Sequence, residues 1–314
     1  MGVFLKIKKS GKRKLPPFVQ YTFFPLLESF LLGAGFSFCD PLLESLPTFT
    51  VCAVRYGMAA IAVVCYTIFL GKQGRILEKE NLLGGFLAGL LGALASGACY
   101  TGQRFSGAGK SGFIISMYVF FVPILDLLRG NRVKPRIWVC EGFIFAGLWL
   151  LCLNSETGLS GGDALLFLSS LLYALQVLVF DRYMKTCDPA PFTTVLYVSQ
   201  ALFAGLVSFF LESPDPAVFR ENLGALILVG ILCSAIPYTV GAYAQQGGDV
   251  NRLSILWSTE SVFSVLCAAA FLHEKMSPKE LLGCLIVFAA VVLSYVEPKN
   301  KKKGECHENS GQLL

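Results

Sequence analysis

Apolar and polar positions fall along this chain in long blocks. Between Pro17 and Val296, ten apolar stretches of about 18–23 residues follow one another, and nearly every charged residue lies between them. They run roughly over 17–39, 48–70, 81–100, 111–128, 137–154, 162–180, 191–211, 222–244, 252–272 and 279–296. A helix rises about 1.5 Å per residue, so about 20 apolar residues cross a hydrocarbon layer about 30 Å thick. Hydrocarbon offers no hydrogen bonds, so each stretch must pair its own backbone and is predicted to be helical. The pattern predicts an all-α polytopic membrane protein with ten transmembrane helices. The connections are short, and several carry turn residues, among them Asp40-Pro41, Gly130-Asn131, Gly161-Gly162, Ser213-Pro214 and Gly247-Gly248.

The basic residues orient these spans. With both termini in the cytoplasm, the inner segments carry Lys6, Lys8, Lys9, Lys12, Arg13 and Lys14, then Lys72, Arg75 and Lys79. Further along come Arg129, Arg132, Lys134 and Arg136, then Arg182, Lys185 and Arg252, and finally Lys299, Lys301, Lys302 and Lys303. The outer segments keep only Arg55, Arg104, Lys110, Arg220, Lys275 and Lys279, a split of 20 to 6 among the 26 Lys and Arg. Basic loops stay inside, so this distribution predicts cytoplasmic termini. It also gives the net charge of +5 a topological role in place of nucleic-acid binding. The expected setting is the cell membrane, with the bilayer as the principal partner and the chain as a monomer or homodimer.

The two halves match at a shift of 143–144 residues. Pro47, Thr50, Val51 and Ala60 pair with Pro191, Thr194, Val195 and Ala204, and Tyr100 and Gln103 pair with Tyr243 and Gln246. Ser111, Val119, Phe120, Val122 and Pro135 pair with Ser254, Val262, Phe263, Val265 and Pro278. Each half holds five spans, an odd number, so the second enters the membrane the other way up. This divides the chain into a basic N-terminus (1–16), a first repeat (17–154), a second repeat (162–296) and a polar tail (297–314). Inverted repeats suit alternating access, with the ligand near the midplane between the halves.

Composition agrees: 54% of residues are hydrophobic and 15% charged, against about 25% charged in soluble domains. Most of the eleven cysteines stand singly inside apolar stretches, without C-x-x-C spacing, as small packing residues. No metal or cofactor is expected.

The segment from Tyr243 through Asp249, Trp257 and Glu260 to Phe263, followed by Leu272-His-Glu-Lys-Met-Ser-Pro278 and Leu282-Gly283, resembles the EamA domain of the drug/metabolite transporter superfamily. So do Ser106–Pro123, Gly162-Asp163 and Arg55 near the start of the second span. The resemblance covers about residues 20–297. It implies two EamA repeats of five helices and transport of small organic molecules, with no substrate specified. The chain departs from the family in reading Ala34-Gly35 where Trp-Gly is common, and Ser261 where proline usually follows the second-repeat glutamate.

Polar residues within the apolar stretches are the candidate site, because a charge at bilayer depth costs at least about 2.5–3.5 kcal/mol. Glu28 and Glu260 lie deep in spans 1 and 9; Glu260 matches the family's glutamate. Either can bind a proton or a cationic group, or serve as a structural acid, Glu260 satisfied by Ser258, by Thr259 or by a helix elsewhere. Arg55 can attract an anion, pair with Asp40 or Glu28, or snorkel to the outer interface. Tyr100, Gln103, Tyr243 and Gln246 recur in both halves and either reach a polar ligand from two sides or anchor at the interface. Tyr118 and Trp257 offer aromatic walls. Asp126, Glu141 and Asp163, nearer the span ends, are expected to reach the interface. Gly85, Gly89, Ala93 and Gly97 form a small-residue stripe for helix packing, and Pro25, Pro123 and Pro237 are candidate kinks.

Enzyme motifs occur only as strings. Gly107-x-Gly109-x-x-Gly112 and Gly109-Lys110-Ser111 join two apolar stretches with no preceding strand, and Gly158-x-Ser160-x-Gly162 lies between spans. The only two histidines are His273 and His307. The reading is therefore a secondary active transporter for a small organic metabolite or drug, proton-coupled or exchange-driven, and not an enzyme. A passive channel and a non-transporting scaffold are the alternatives.

Overall fold

The computed structural model describes residues 16–106, 108–152, 161–271 and 277–295, all as helices and short connections without strands. The basic N-terminus, the polar tail, His273, His307 and most of the Gly158–Gly162 string lie outside the described residues. A π-helical turn, Val19–Phe23, leads into α1 (Phe24–Ser45). α2 (Thr48–Phe69), α3 (Lys79–Ser106), α4 (Ala108–Ser116), α5 (Tyr118–Leu128) and α6 (Pro135–Cys152) complete the first half. α7 (Gly161–Tyr183), α8 (Pro189–Leu211) and α9 (Pro216–Gly230) follow, then a second π-helical turn, Ile231–Ala235. α10 (Ile236–Gln245), α11 (Val250–Trp257), α12 (Thr259–Phe271) and α13 (Pro278–Tyr295) close the described chain.

Among the described residues, seven helices are long and apolar enough to cross a membrane: Val19–Ser45, Thr48–Phe69, Lys79–Ser106, Gly161–Tyr183, Pro189–Leu211, Pro216–Gln245 and Val250–Phe271. The other three expected spans appear as shorter helices. The stretch 111–128 breaks at Met117 into α4 and α5, and α6 and α13 have 18 residues each, about 27 Å of rise at about 1.5 Å per residue. The exterior is apolar: Phe69, Leu128 and Phe209 are 87%, 78% and 77% exposed, a surface that only lipid or another apolar body covers.

The helix contacts come in matched pairs when the halves are exchanged. α1 packs on α12 and α10; its counterpart α7 packs on α4 and α5 and on α3. α3 packs on α8, as α9 and the second π-helical turn pack on α2. α2 with α8, and α6 with α13, are their own counterparts. The breaks at Met117 and Ser258 also fall at nearly equivalent places in the two halves.

Glycine makes the tightest of these contacts possible. A methyl group on Gly85 would lie 2.6 Å from Cβ of Val195, and one on Gly89 would lie 2.6 Å from the carbonyl oxygen of Leu196, so α3 and α8 touch backbone to backbone. Pro25 and Pro237 each stand second in the α-helix that follows a π-helical turn. Proline cannot bond the carbonyl four residues back, and the wider turn accommodates that missing bond. Pro123 lies inside α5.

α2 is tied to α8 at both ends. At one end, Glu212 accepts hydrogen bonds from the Phe49 and Thr50 amides at 2.8 and 2.6 Å, capping the exposed donors that begin α2. At the other, Asp188 meets Arg75 and also Lys72 at 3.6 Å. Arg75 bonds Glu78 as well, and that bond holds the exposed Glu78 carboxyl below its ordinary range. This second end, with Arg129, Arg132, Lys134 and Arg136, is the basic end of the molecule.

Candidate functional site

α1, α2, α3, α7, α10 and the junctions α4–α5 and α11–α12 line a cavity of about 90 Å3. A water molecule's share of liquid volume is about 30 Å3, so the space suits a few waters or the polar end of a small ligand. Its walls carry three charged residues, Glu28, Arg55 and Glu260, and aromatic side chains that include Tyr100, Tyr118, Tyr238 and Trp257.

Arg55 is buried rather than extended to the interface. Its Nε donates to Ser234 Oγ at 2.5 Å, Nη1 to Cys39 Sγ at 3.3 Å and to the Tyr100 hydroxyl, and Nη2 to the Cys233 carbonyl oxygen at 2.7 Å. These partners lie on α1, α3 and the π-helical turn before α10, so one guanidinium joins four segments. The wider turn brings Cys233 and Ser234 to it. Neither expected carboxylate pairs with Arg55: Asp40 accepts from Gln103 at 2.6 Å and Glu28 from Trp257, so the only acceptors of Arg55 among the described residues are neutral. The guanidinium carbon also lies 5.7 Å from the ring centres of both Tyr56 and Tyr100, within cation–π range.

The two acids line the same cavity. Glu28 Oε2 accepts from Trp257 Nε1 at 2.7 Å, and Glu260 Oε2 accepts from the Tyr118 hydroxyl at 3.4 Å. Ser258 and Thr259 do not satisfy Glu260; their hydroxyls donate to the carbonyls of Ile255 and Leu256, one turn back. Glu260 stands in the first turn of α12 and Tyr118 opens α5, so both helix breaks deliver a side chain to the same cavity. Discontinuous helices at mid-membrane put backbone ends and polar side chains where a solute can reach them.

Gly241 sets the position of Glu28. A methyl group there would overlap the Glu28 carboxylate. Gly241→Ala is therefore expected to push Glu28 away from Trp257. With Trp138 and Trp149 replaced by phenylalanine, the fluorescence of Trp257 reads this directly: its emission should shift in the alanine variant. An unchanged spectrum would mean that the glycine only packs.

The recurring Tyr/Gln pairs are split. Tyr100 lines the cavity, whereas Gln103 bonds Asp40. Tyr243 faces a separate crevice and meets the Tyr66 hydroxyl at 3.3 Å. Gln246 lies at the end of α10, where its carbonyl accepts from Gln20 at 2.9 Å and its side chain reaches the Cys187 carbonyl at 3.4 Å. Asp126, Glu141 and Asp163 are buried within the protein. Asp126 bonds Asn131 and Asn251, and Asp163 accepts from Ser106, while the Glu141 carboxyl has no hydrogen-bond partner among the described residues.

One family model, the EamA-like transporter family, matches this chain twice, over residues 21–153 and 160–296. The chain belongs to the EamA-like transporter family. It is a multi-pass membrane protein, and the family marks it as a transporter rather than an enzyme. An uncharacterized transporter of Archaeoglobus fulgidus is 23% identical over 275 residues, covering 85% of this chain and 83% of its own. An uncharacterized transporter of Bacillus subtilis, YyaM, is 23% identical over 290 residues, with 85% and 93% covered. A chloroplastic WAT1-related protein of Arabidopsis thaliana is 26% identical over 269 residues, with 78% and 62% covered. One crystal structure superposes with a TM-score of 0.72 at 14% identity, covering 88% of this chain and 97% of its own; that likeness concerns the fold alone.

Within this EamA-like fold, the sequence pattern misses several cavity residues. Tyr238, Gly241 and Gln245 line one face of α10 at spacings of three and four. That periodicity was available from Tyr238 onward, but the repeat match points to Gln246, one position off the face. Gln245 is buried, and its Oε1 has no hydrogen-bond partner among the described residues. Tyr56 and Tyr173 reach the cavity from α2 and α7, both bonded to Ser96, and resemble ordinary apolar-stretch aromatics in sequence.

Proposed function

We propose that this protein is a secondary active transporter of a small organic metabolite or drug in the cell membrane. It works by alternating access between two inverted five-helix repeats, ten spans in all, with both termini cytoplasmic. The observation that carries the reading is the cavity lined from both halves, with Arg55, Glu28 and Glu260 in its walls and a broken helix from each half ending beside it. The paired helix contacts and the two family matches support the repeat. The 20-to-6 distribution of basic residues supports the orientation.

Glu260 carries the coupling proton in this scheme, and Arg55 and the tyrosines hold the solute. The test is flux of a mixed metabolite panel in proteoliposomes of the purified protein, with and without an imposed pH gradient. Saturable, selective movement that accelerates under the gradient is expected. Unsaturable flux without countertransport would indicate a channel, and flux equal to that of empty liposomes would indicate a scaffold.

A further inference from the structure

A second space opens sideways between α2 and α10, separate from the central cavity. It is an apolar crevice of about 560 Å3. Ala62, Val63 and Tyr66 line it from α2, and Thr239, Val240 and Tyr243 from α10. α2 packs against α9 and the second π-helical turn, where a methyl group on Gly230 would lie 2.7 Å from the Arg55 carbonyl oxygen. Beyond that level the two helices part. Among the described residues, the hydroxyls of Tyr66 and Tyr243 make the one side-chain hydrogen bond that joins them again, at the basic end.

Three observations say what fills this space. First, the crevice is continuous with the lipid-facing surface: Ile61, Ile68 and Phe69 on the same helix are 58%, 54% and 87% exposed. Second, the hydroxyl of Thr239 is already committed to the Ala235 carbonyl at 2.6 Å, so the interior offers a ligand little beyond apolar contact. Third, its mouth lies at the basic end. Lys72 and Arg75 follow α2 there, both meeting Asp188 while their side chains stay partly exposed, and Gln20 bonds the carbonyls of Tyr243 and Gln246, which brings the start of the first helix to the same place. Basic residues beside an apolar slot suit an anionic head group above a hydrocarbon tail, and tyrosine hydroxyls are at home at head-group depth.

We propose that the crevice is a lipid site holding one acyl chain of an anionic phospholipid, with its head group at the basic mouth. The chain wedges α10 away from α2. Because α10 also presents Tyr238, Gly241 and Gln245 to the central cavity, the lipid holds a wall of that cavity in place. The proposal rests on the membrane assignment alone and is independent of transport.

The experiment uses the full chain in nanodiscs with a phosphatidylglycerol that carries a photoreactive group in its acyl chain. Labelled peptides are mapped by mass spectrometry. Labelling concentrated on the peptides of α2 and α10 is expected, above that of lipid-exposed α13. Ala62→Phe should fill the slot and bring crevice labelling down to the α13 level, and Val240→Phe on the opposite wall provides a second variant if the first does not fold. A phosphatidylcholine probe should label the crevice more weakly. Labelling no higher than at α13, or unchanged in a folded filling variant, would overturn the site. Equal labelling by both lipids would overturn the anionic assignment. Displacement of the probe by a soluble member of the metabolite panel would make the crevice a solute site and end the lipid reading.

Discussion

Replacing Glu260 by glutamine is expected to abolish the response of flux to an imposed pH gradient, leaving the rate at its gradient-free level. Glutamine matches glutamate in size and can still accept from the Tyr118 hydroxyl, which lies 3.4 Å from Glu260 Oε2. It cannot load or release a proton. The variant should therefore keep its helical spectrum and its elution profile while losing coupling. Solute-for-solute exchange under equal pH should survive, because Arg55 and the aromatic walls remain. A variant whose flux follows the pH gradient as wild type does would remove Glu260 from the coupling step and leave Glu28 as the carboxyl to test. A variant that loses exchange as well would make Glu260 a solute contact.

Arg55 should show the largest effect on stability. Its guanidinium is the shared donor for α1, α3 and the π-helical turn, and it spreads its bonds over Cys39, Tyr100, Cys233 and Ser234. An interhelical hydrogen bond in a membrane protein is worth about 0.6 kcal/mol on average and up to about 1.7. Arg55→Ala removes several at once and strands a buried hydroxyl and a buried carbonyl. A loss of about 2–4 kcal/mol follows, read as a lower unfolding midpoint in detergent. Arg55→Lys keeps the charge but not the planar fork, so it should restore only part of the stability and little of the flux. Full recovery with lysine would mean that charge alone matters, and the four-segment junction would then be incidental.

The helices were legible because the bilayer imposes a length and a polarity on each of them. The same rule explains the misjudged places. Met117 and Ser258 interrupt apolar stretches without changing their hydropathy, so two continuous spans were expected where the chain has helix breaks. Pro25 and Pro237 were visible as kinks, but the π-helical turn before each was not, since proline announces a missing hydrogen bond without saying how the backbone absorbs it. Gln245 was passed over for Gln246 because repeat matching compares letters, whereas a helix face is set by rotation of about 100° per residue.

Family membership and the candidate carboxylates at Glu28 and Glu260 could be read from residue types and their order, whereas for Arg55 they left snorkelling to the interface open. What each touches could not be read that way. That Arg55 has neutral partners and each acid an aromatic donor depends on contacts between residues up to 229 positions apart, such as Glu28 with Trp257. A one-dimensional pattern records the cost of placing a polar group in hydrocarbon. Only the packed helices decide which neighbour offsets that cost, because a hydrogen bond is settled by atoms brought within about 3 Å and not by their order along the chain.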